Sequence, residues 1–328
     1  MMNGFVFTCG DVNGIGPEIC IKTFNKKFNP QKHIVIFVCP ANVFETVVQN
    51  IQPNFNFSII KNLNNIREGR INIIDIGKVK LSPGKPTKSS GKISYKAILK
   101  GLEIIEKGLA AAMVTAPISK LALHLANIDF PGHTELLSHR SGIKNYLMMF
   151  LSRSMKTGLV TIHEPLKKVP GLISEKKISS AINTMHFSLK NDFGIGKPQI
   201  AVLGLNPHAG EAGEIGREEI DIIKPAIGKF ENVYGPFVPD AFFGEKLYKK
   251  FDAVLGMYHD QVLIPFKLMN FRSGVNFTAG LPFVRTSPDH GTAFDIAGKF
   301  VADESSMNQA FSWADKIVNM RKKSGKGK

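Results

Sequence analysis

Three histidines, His163, His208 and His259, each follow a short apolar run of strand length, at 157–162, 199–203 and 253–257. Parallel strands bring their carboxyl ends to one edge of a sheet, which is where open α/β sheets bind ligands. Three neutral imidazoles converging there make a catalytic zinc-type centre with one position left for a substrate oxygen. Asp260 and Glu211 are near enough in sequence to hold the ring N–H groups. A histidine after a strand is also a common structural residue, so the residues alone leave both readings open.

The stretch 251–298 holds the densest set of groups able to do chemistry. After Tyr258-His259-Asp260-Gln261 come Lys267, Asn276, Arg285, Asp289 and His290, each beside Gly or Pro punctuation or on a short element. Lys267 and Arg285 supply positive charge for an anionic ligand, and Asn276 supplies directional hydrogen bonds. Farther upstream, Pro131-Gly132-His133-Thr134-Glu135 opens a helix, and the His133 ring and Thr134 hydroxyl suit an anion there; a capping Thr beside a surface His is the alternative. Cys9 to Glu18 forms a glycine-rich turn, with Asp11, Gly14 and Gly16 as candidate cofactor contacts, together with the loop 280–295. Its glycines lack the Gly-x-Gly-x-x-Gly spacing of a dinucleotide fingerprint, and a plain strand-to-helix connection is the competing reading.

The elements expected to position these residues alternate strand and helix. Strands are expected at 4–9, 34–38, 57–60, 71–76, 110–115, 146–151, 157–162, 199–203 and 253–257. Helices are expected at 41–49, 91–107, 174–189, 217–228, 240–250, 291–299 and 305–320, with others opening near Pro17 and Pro131 and one carrying Lys267. That alternation predicts an α/β sheet of parallel character. The 328 residues are enough for two domains. A 43% hydrophobic and 21% charged composition is that of a soluble globular protein. No apolar run reaches the 18 or so residues of a membrane span, and no leader precedes the first strand, so a cytoplasmic protein is expected. Three sparse cysteines, Cys9, Cys20 and Cys39, predict reduced buried thiols. The net charge of +15 is dispersed except in the Arg321–Lys328 end, which reads as a solvated tail. No nucleic-acid motif accompanies it, so an anionic small substrate is the expected partner.

Five motifs, in order, resemble the 4-hydroxythreonine-4-phosphate dehydrogenase family of vitamin B6 biosynthesis: Gly10-Asp11 with Gly14-Ile15-Gly16-Pro17-Glu18; Pro131-Gly132-His133-Thr134-Glu135; Leu205-Asn206-Pro207-His208-Ala209-Gly210-Glu211; Tyr258-His259-Asp260-Gln261; and Gly280-Leu281-Pro282-Phe283-Val284-Arg285 through Asp289-His290-Gly291-Thr292-Ala293. The resemblance implies two α/β/α domains of the isocitrate/isopropylmalate-dehydrogenase type with the active-site cleft between them, about 1–130 plus 275–328 and 131–274. It implies a homodimer with the active site at its interface. It also implies NAD or NADP as oxidant and one divalent metal (Zn, Mg or Co) on His163, His208 and His259. Substrate contacts would fall on His133, Thr134, Lys267, Asn276 and Arg285, and the proton acceptor would be Lys267, Asp240 or His133. The implied reaction oxidises 4-phosphohydroxy-L-threonine at C3 and decarboxylates it to 3-amino-2-oxopropyl phosphate. A paralogue acting on 4-phosphothreonate or 4-phosphoerythronate would use the same residues. A metal-dependent hydrolase and a silent phosphometabolite-binding protein are the readings from other classes. Departures from the family pattern stand at Val12, Val262 and Ala279, where Pro, Gly and Leu are usual, and Val262 is close enough to Asp260 to alter a pocket.

Overall fold

The structure, a computed structural model, describes residues 2–130 and 132–325. Pro131 of the second motif, and Lys326 and Lys328 of the basic end, lie outside the described residues.

The chain begins β1 (Asn3–Thr8), α1 (Gly16–Lys27), β2 (His33–Val38), α2 (Ala41–Asn50), β3 (Phe57–Ile60), β4 (Ile71–Ile74), α3 (Lys88–Glu106), β5 (Ala112–Thr115), α4 (Lys120–Leu125), α5 (His133–Arg140). It continues through β6 (Leu147–Leu151), β7 (Lys156–Leu159), α6 (Val169–Leu172), α7 (Glu175–Asn191), β8 (Ile200–Leu203), α8 (Lys224–Ile227), β9 (Val233–Phe237), α9 (Pro239–Gly244), β10 (Ala253–Gly256), α10 (His259–Asn270) and β11 (Val275–Ala279). It returns with β12 (Val284–Pro288) and α11 (Ser305–Lys323). Two compact units result: Met1–Ser141 with Pro282–Lys322, and Gly142–Leu281. The crossings expected at 131 and 275 therefore fall at 142 and 282, which puts His133 and Thr134 in the same unit as Arg285 and leaves Asn276 with the histidines.

The first unit is a fully parallel run in the order β3-β4-β2-β1-β5-β12. Such strands are covered on both faces, which explains their uninterrupted apolar composition. Phe5 and Phe7 pack edge-on against Phe311 of α11, and Phe7 also meets Phe24 of α1. On the opposite face α3 approaches closely at Gly101, where a Cβ would come within 2.9 Å of Met113 Cε and 3.2 Å of Thr8 Cγ2. A capping box between Thr87 and Ser90 starts α3.

The second unit runs β11-β6-β7-β10-β8-β9, with β6 antiparallel to both neighbours and the β7, β10, β8, β9 pairs parallel. Helix α7 covers one face through Met185, against Gly158. The other face buries Met148, Phe150, Leu159, Leu203 and Val254 under Phe242 of α9 and Phe266 of α10. Each unit is thus an α/β/α layer, as expected.

Several elements differ from expectation. Residues 291–299 form turns, not a helix: Ala293 and Gly298 have positive φ, and the bonds Ile296 N–H to Ala293 and Lys299 N–H to Ile296 span only three residues. The 217–228 region is a π turn (Glu219–Ile223) running into the single turn α8, and 240–250 divides into α9 and a 3-10 turn at Leu247–Lys250. Strand β9 lies inside a segment read as a connection. The tail reading also fails for Arg321, Lys322 and Lys323, which continue α11, with Lys322 bonded to Asn3. No helix among the described residues is long and apolar enough to cross a membrane.

Candidate active site

The strands preceding the three histidines are neighbours. β10 pairs in parallel with β7 on one side and β8 on the other, so His163, His259 and His208 leave the same edge of the sheet. The β7 and β10 chains stay joined beyond their ends, through Val160 N–H to Gly256 O (2.9 Å), Thr161 N–H to Met257 O (3.1 Å) and the Thr161 hydroxyl to Met257 O (2.6 Å). The outcome is a His163–His259 pair with ring centroids 5.6 Å apart. Two imidazoles on one tetrahedral ion would have centroids roughly 5 Å apart, given metal–nitrogen bonds of about 2 Å. His259 Nδ1 lies 2.7 Å from the Asp260 carboxylate, a contact that suits the tautomer in which Nδ1 donates and Nε2 is the nitrogen open to a cation. His208 leaves the adjacent strand end but is not drawn into the pair, and no three His, Cys, Asp or Glu side chains among the described residues already form a cation cage. The donor chemistry and the spacing of the pair fit a divalent metal, with His208 on the adjacent strand end as the third candidate.

His208 sits in an unusual turn. Residues 208–212 all have left-handed backbone, with φ from 43° to 84°. Left-handed backbone is unfavourable by roughly 1–2 kcal/mol per non-glycine residue, and this turn contains four of them. Glu219, 1% exposed, holds its base: Oε1 accepts from the Leu205 and Asn206 N–H groups (both 2.7 Å), and Oε2 accepts from Asn206 Nδ2 (2.9 Å). Gln261 ties the same strand end to α10, donating to Gly204 O (2.6 Å) and accepting from Met257 N–H (2.7 Å). In the sequence Gln261 stands out only as part of a motif, and nothing there distinguishes Glu219 from a surface acid beside Glu218.

The anion-type residues of the first unit gather separately. Arg285 on β12 is 3% exposed, and its Nη2 and Nε donate to Thr115 Oγ1 at the end of β5 (2.8 and 3.2 Å). Burial lowers its pKa to about 10, against a raising effect of Glu135. His133, the first residue of α5, is half-buried overall, but its Nε2 is enclosed and has no hydrogen-bond partner among the described residues. Burial, and then the nearby Arg285 cation, hold its pKa well below the usual imidazole range, so it is neutral at pH 7. Thr134 is buried beside it. A buried cation next to an imidazole nitrogen without a partner among the described residues suits an anionic or hydroxyl-bearing ligand.

The Asp11–Gly16 loop is internally committed. Asp11 N–H donates to Pro117 O, Asn13 N–H to the Asp11 carboxylate, Gly14 N–H to Asp11 O and Ile15 N–H to Thr292 O. Asp11 itself is buried, which raises its pKa against the lowering effect of Asn13 and Ser90. Gly16 allows close packing, since a Cβ there would sit 2.3 Å from Cys9 O. These N–H groups do not cradle an anion; the loop instead joins the 292 segment, with which it was grouped as a cofactor contact.

Lys267 is half-buried in the last turn of α10, about 12 Å along the axis from His259 at 1.5 Å per residue. Asn276 is half-buried on β11, and Asp240 is exposed in the first turn of α9. Val262 does not enter a pocket: it is fully buried in the apolar core of the second unit, where a Cβ on Gly256 would touch it.

The fold and these sites define an α/β protein with a histidine pair at one sheet edge and a buried arginine beside an enclosed imidazole nitrogen. The family model described as "Pyridoxal phosphate biosynthetic protein PdxA" matches residues 31–314. A 4-hydroxythreonine-4-phosphate dehydrogenase of Bacteroides thetaiotaomicron is 39% identical over 96% of this chain and 89% of its own. A D-threonate 4-phosphate dehydrogenase of Salmonella typhimurium is 40% identical over 92% of this chain and 94% of its own. The crystal structure of 4-hydroxythreonine-4-phosphate dehydrogenase from Klebsiella pneumoniae superposes with a TM-score of 0.85 at 38% identity, covering 97% and 98% of the two chains. The chain belongs to the PdxA family of pyridoxal phosphate biosynthesis, an oxidoreductase family.

Proposed function

We propose that this protein oxidises 4-phosphohydroxy-L-threonine at C3 with NAD or NADP and releases carbon dioxide, giving 3-amino-2-oxopropyl phosphate. The observation that supports the reading is that His163, His208 and His259 each follow one of three neighbouring parallel strands and leave the same sheet edge, in a chain of this family. These three residues would hold a divalent cation (Zn, Mg or Co). When bound, that ion would supply Lewis acidity and an electron sink, and a bound nicotinamide would supply the hydride acceptor.

The chain's own groups do the rest. Arg285 holds substrate negative charge from a site where water is already excluded, and His133 presents a neutral ring nitrogen to a substrate oxygen. Thr134 and Asn276 add hydrogen bonds, and Lys267, Asp240 or His133 takes the alcohol proton. Cofactor contact is assigned to the surface formed jointly by the Asp11–Gly16 loop and the Thr292 segment. Asp260 fixes the His259 tautomer.

A homodimer fits α10, which presents Ile264, Leu268 and Phe271 outward at 59, 83 and 81% exposure. That spacing is one apolar helix face with nothing from its own unit over it. Lys267 lies on the same helix, two turns from His259, so an active site completed by a second copy gives it a role that its distance from its own histidines does not. Three buried free thiols accord with a reducing, cytoplasmic setting.

The test is absorbance at 340 nm with NAD and 4-phosphohydroxy-L-threonine, with chelator and then with metal restored. Metal-restorable NADH formation is expected. Turnover with threonate or erythronate phosphate alone would transfer the assignment to the paralogous dehydrogenase, and metal-dependent turnover without nicotinamide would transfer it to a hydrolase.

A further inference from the structure

We infer that Glu219 is a positioning residue for His208, and that Gln261 sets how far the His208 turn stands from His259. The inference rests on the metal reading given under Proposed function and adds to it the machinery that closes the third ligand.

The chain of contacts is continuous. Gly204, the residue after β8, donates its N–H to Phe237 O (2.8 Å) and accepts from Gln261 Nε2 through its carbonyl. The next two N–H groups, of Leu205 and Asn206, both point at Glu219 Oε1, and the Asn206 side chain bridges Glu219 and Glu218. The left-handed run starts two residues later. Its middle is pinned by the same carboxylate, because a Cβ on Gly210 would lie 2.7 Å from Glu219 Oε2 and 2.5 Å from Gly216 O. Glu219 opens a π turn, a form found mostly as short insertions at functional sites. A buried acid accepting three hydrogen bonds from one turn fixes where that turn's only imidazole can reach. Gln261 uses both ends of its amide to couple the turn to Met257 and hence to the start of α10, two residues before His259.

A glutamine at 219 can still accept from the two N–H groups, but its amide nitrogen would face the Asn206 nitrogen, donor against donor. Turning Asn206 over would break its bond to Glu218. The turn should therefore loosen without a change in shape or size at the site.

The experiment uses the full chain, stripped of metal and titrated with Co²⁺, whose visible absorption reports the ligand set. In parallel, amide hydrogen exchange is followed over residues 204–213 in chelator. Glu219→Gln should weaken Co²⁺ binding by roughly 10- to 100-fold, the usual effect of removing an outer partner of a metal ligand. Its Co²⁺ spectrum should shift toward that of His208→Ala, and exchange at Leu205 and Asn206 should accelerate in the absence of metal. Glu219→Asp, which keeps the carboxylate, should fall between wild type and Glu219→Gln. Gln261→Met should weaken Co²⁺ binding while leaving the Leu205 and Asn206 exchange close to wild type. Wild-type Co²⁺ affinity in Glu219→Gln overturns the inference, as does weakened binding with unchanged exchange. If the wild-type chain shows no Co²⁺ site sensitive to His208→Ala, the metal reading fails first and the inference falls with it. Should Glu219→Gln not fold, the Glu219→Asp and Gln261→Met arms decide the matter by the same readouts.

Discussion

Replacing Arg285 by Met should make the unliganded protein more stable and the enzyme worse. The fall of the guanidinium pKa from its ordinary value to about 10 corresponds to roughly 3 kcal/mol against the charged form, at ~1.4 kcal/mol per factor of ten. The folded pKa is the depressed one, so below pH 10 both folded and unfolded chains carry the proton and the whole penalty opposes folding. It fades only as pH rises through 10 and the folded state releases its proton. Methionine removes that penalty and keeps much of the buried volume, but loses the bonds that Thr115 Oγ1 accepts, worth about 1 kcal/mol net. Glu135 is half-exposed and can return to water. The net gain is about 1–2 kcal/mol, in line with other replacements of buried charges by apolar groups of similar size. For a unit of this size that is a rise in Tm of roughly 2–8 °C. The same change removes charge-assisted bonds to substrate, and at about 1.5–3 kcal/mol for one such bond KM should rise roughly 10- to 100-fold. Differential scanning calorimetry with and without substrate, followed by initial rates, tests both halves. A variant with lower Tm, or one that keeps both its KM and its substrate-induced stabilisation, would refute the reasoning.

His133 has a depressed pKa, so below about pH 6.5 the unfolded chain binds a proton that the folded chain refuses. Stability should be full above that pH, fall as pH drops below it, and fall less in His133→Gln, as read by urea unfolding between pH 5 and 8. Asp260→Asn replaces the obligate acceptor on His259 Nδ1 and should weaken Zn²⁺ affinity roughly 10-fold or more in a chelator competition, with unchanged melting of the metal-free protein. Leu268→Glu, on the outward face of α10, should convert dimer to monomer in sedimentation velocity; a monomeric wild type would remove the basis for that assignment.

Much of this was legible from residue order alone, for identifiable reasons. A buried parallel strand needs an uninterrupted apolar run, so β1, β2, β5, β8 and β10 stand out, and with them the residues at their carboxyl ends. The adjacency of β7, β10 and β8 was inferred only from their being parallel; which strands neighbour which is set by crossovers that leave little trace in any one segment. Strand β9 was passed over because Gly235 and Pro236 interrupt it and its side chains are half-exposed. The 291–299 turns carry helix-compatible residues, and only the bond from Ile15 N–H to Thr292 O shows why the backbone leaves the helical path. Glu219 was invisible for a different reason. Its importance lies in what its carboxylate accepts, 13 and 14 residues away, and pattern alone cannot separate a buried acceptor from a solvated acid.

Each unit carries a local conflict close to a strand end. In the first it is electrostatic, a cation desolvated on β12 beside a neutral imidazole. In the second it is conformational, a left-handed turn of four non-glycine residues, unfavourable by at least about 4 kcal/mol at roughly 1 kcal/mol each. Neither would persist unless surrounding contacts over-determined it. Thr115 and the parallel run of β5 and β12 do so for Arg285; Glu219, Gly210 and Gly216 do so for His208. In both places the supporting residues touch the strained side chain or its turn directly. Substitutions at the supports and at the functional residues should then separate by sign. Removing Arg285 relieves its conflict and raises stability, whereas removing Glu219 releases the turn without relieving anything else and lowers it.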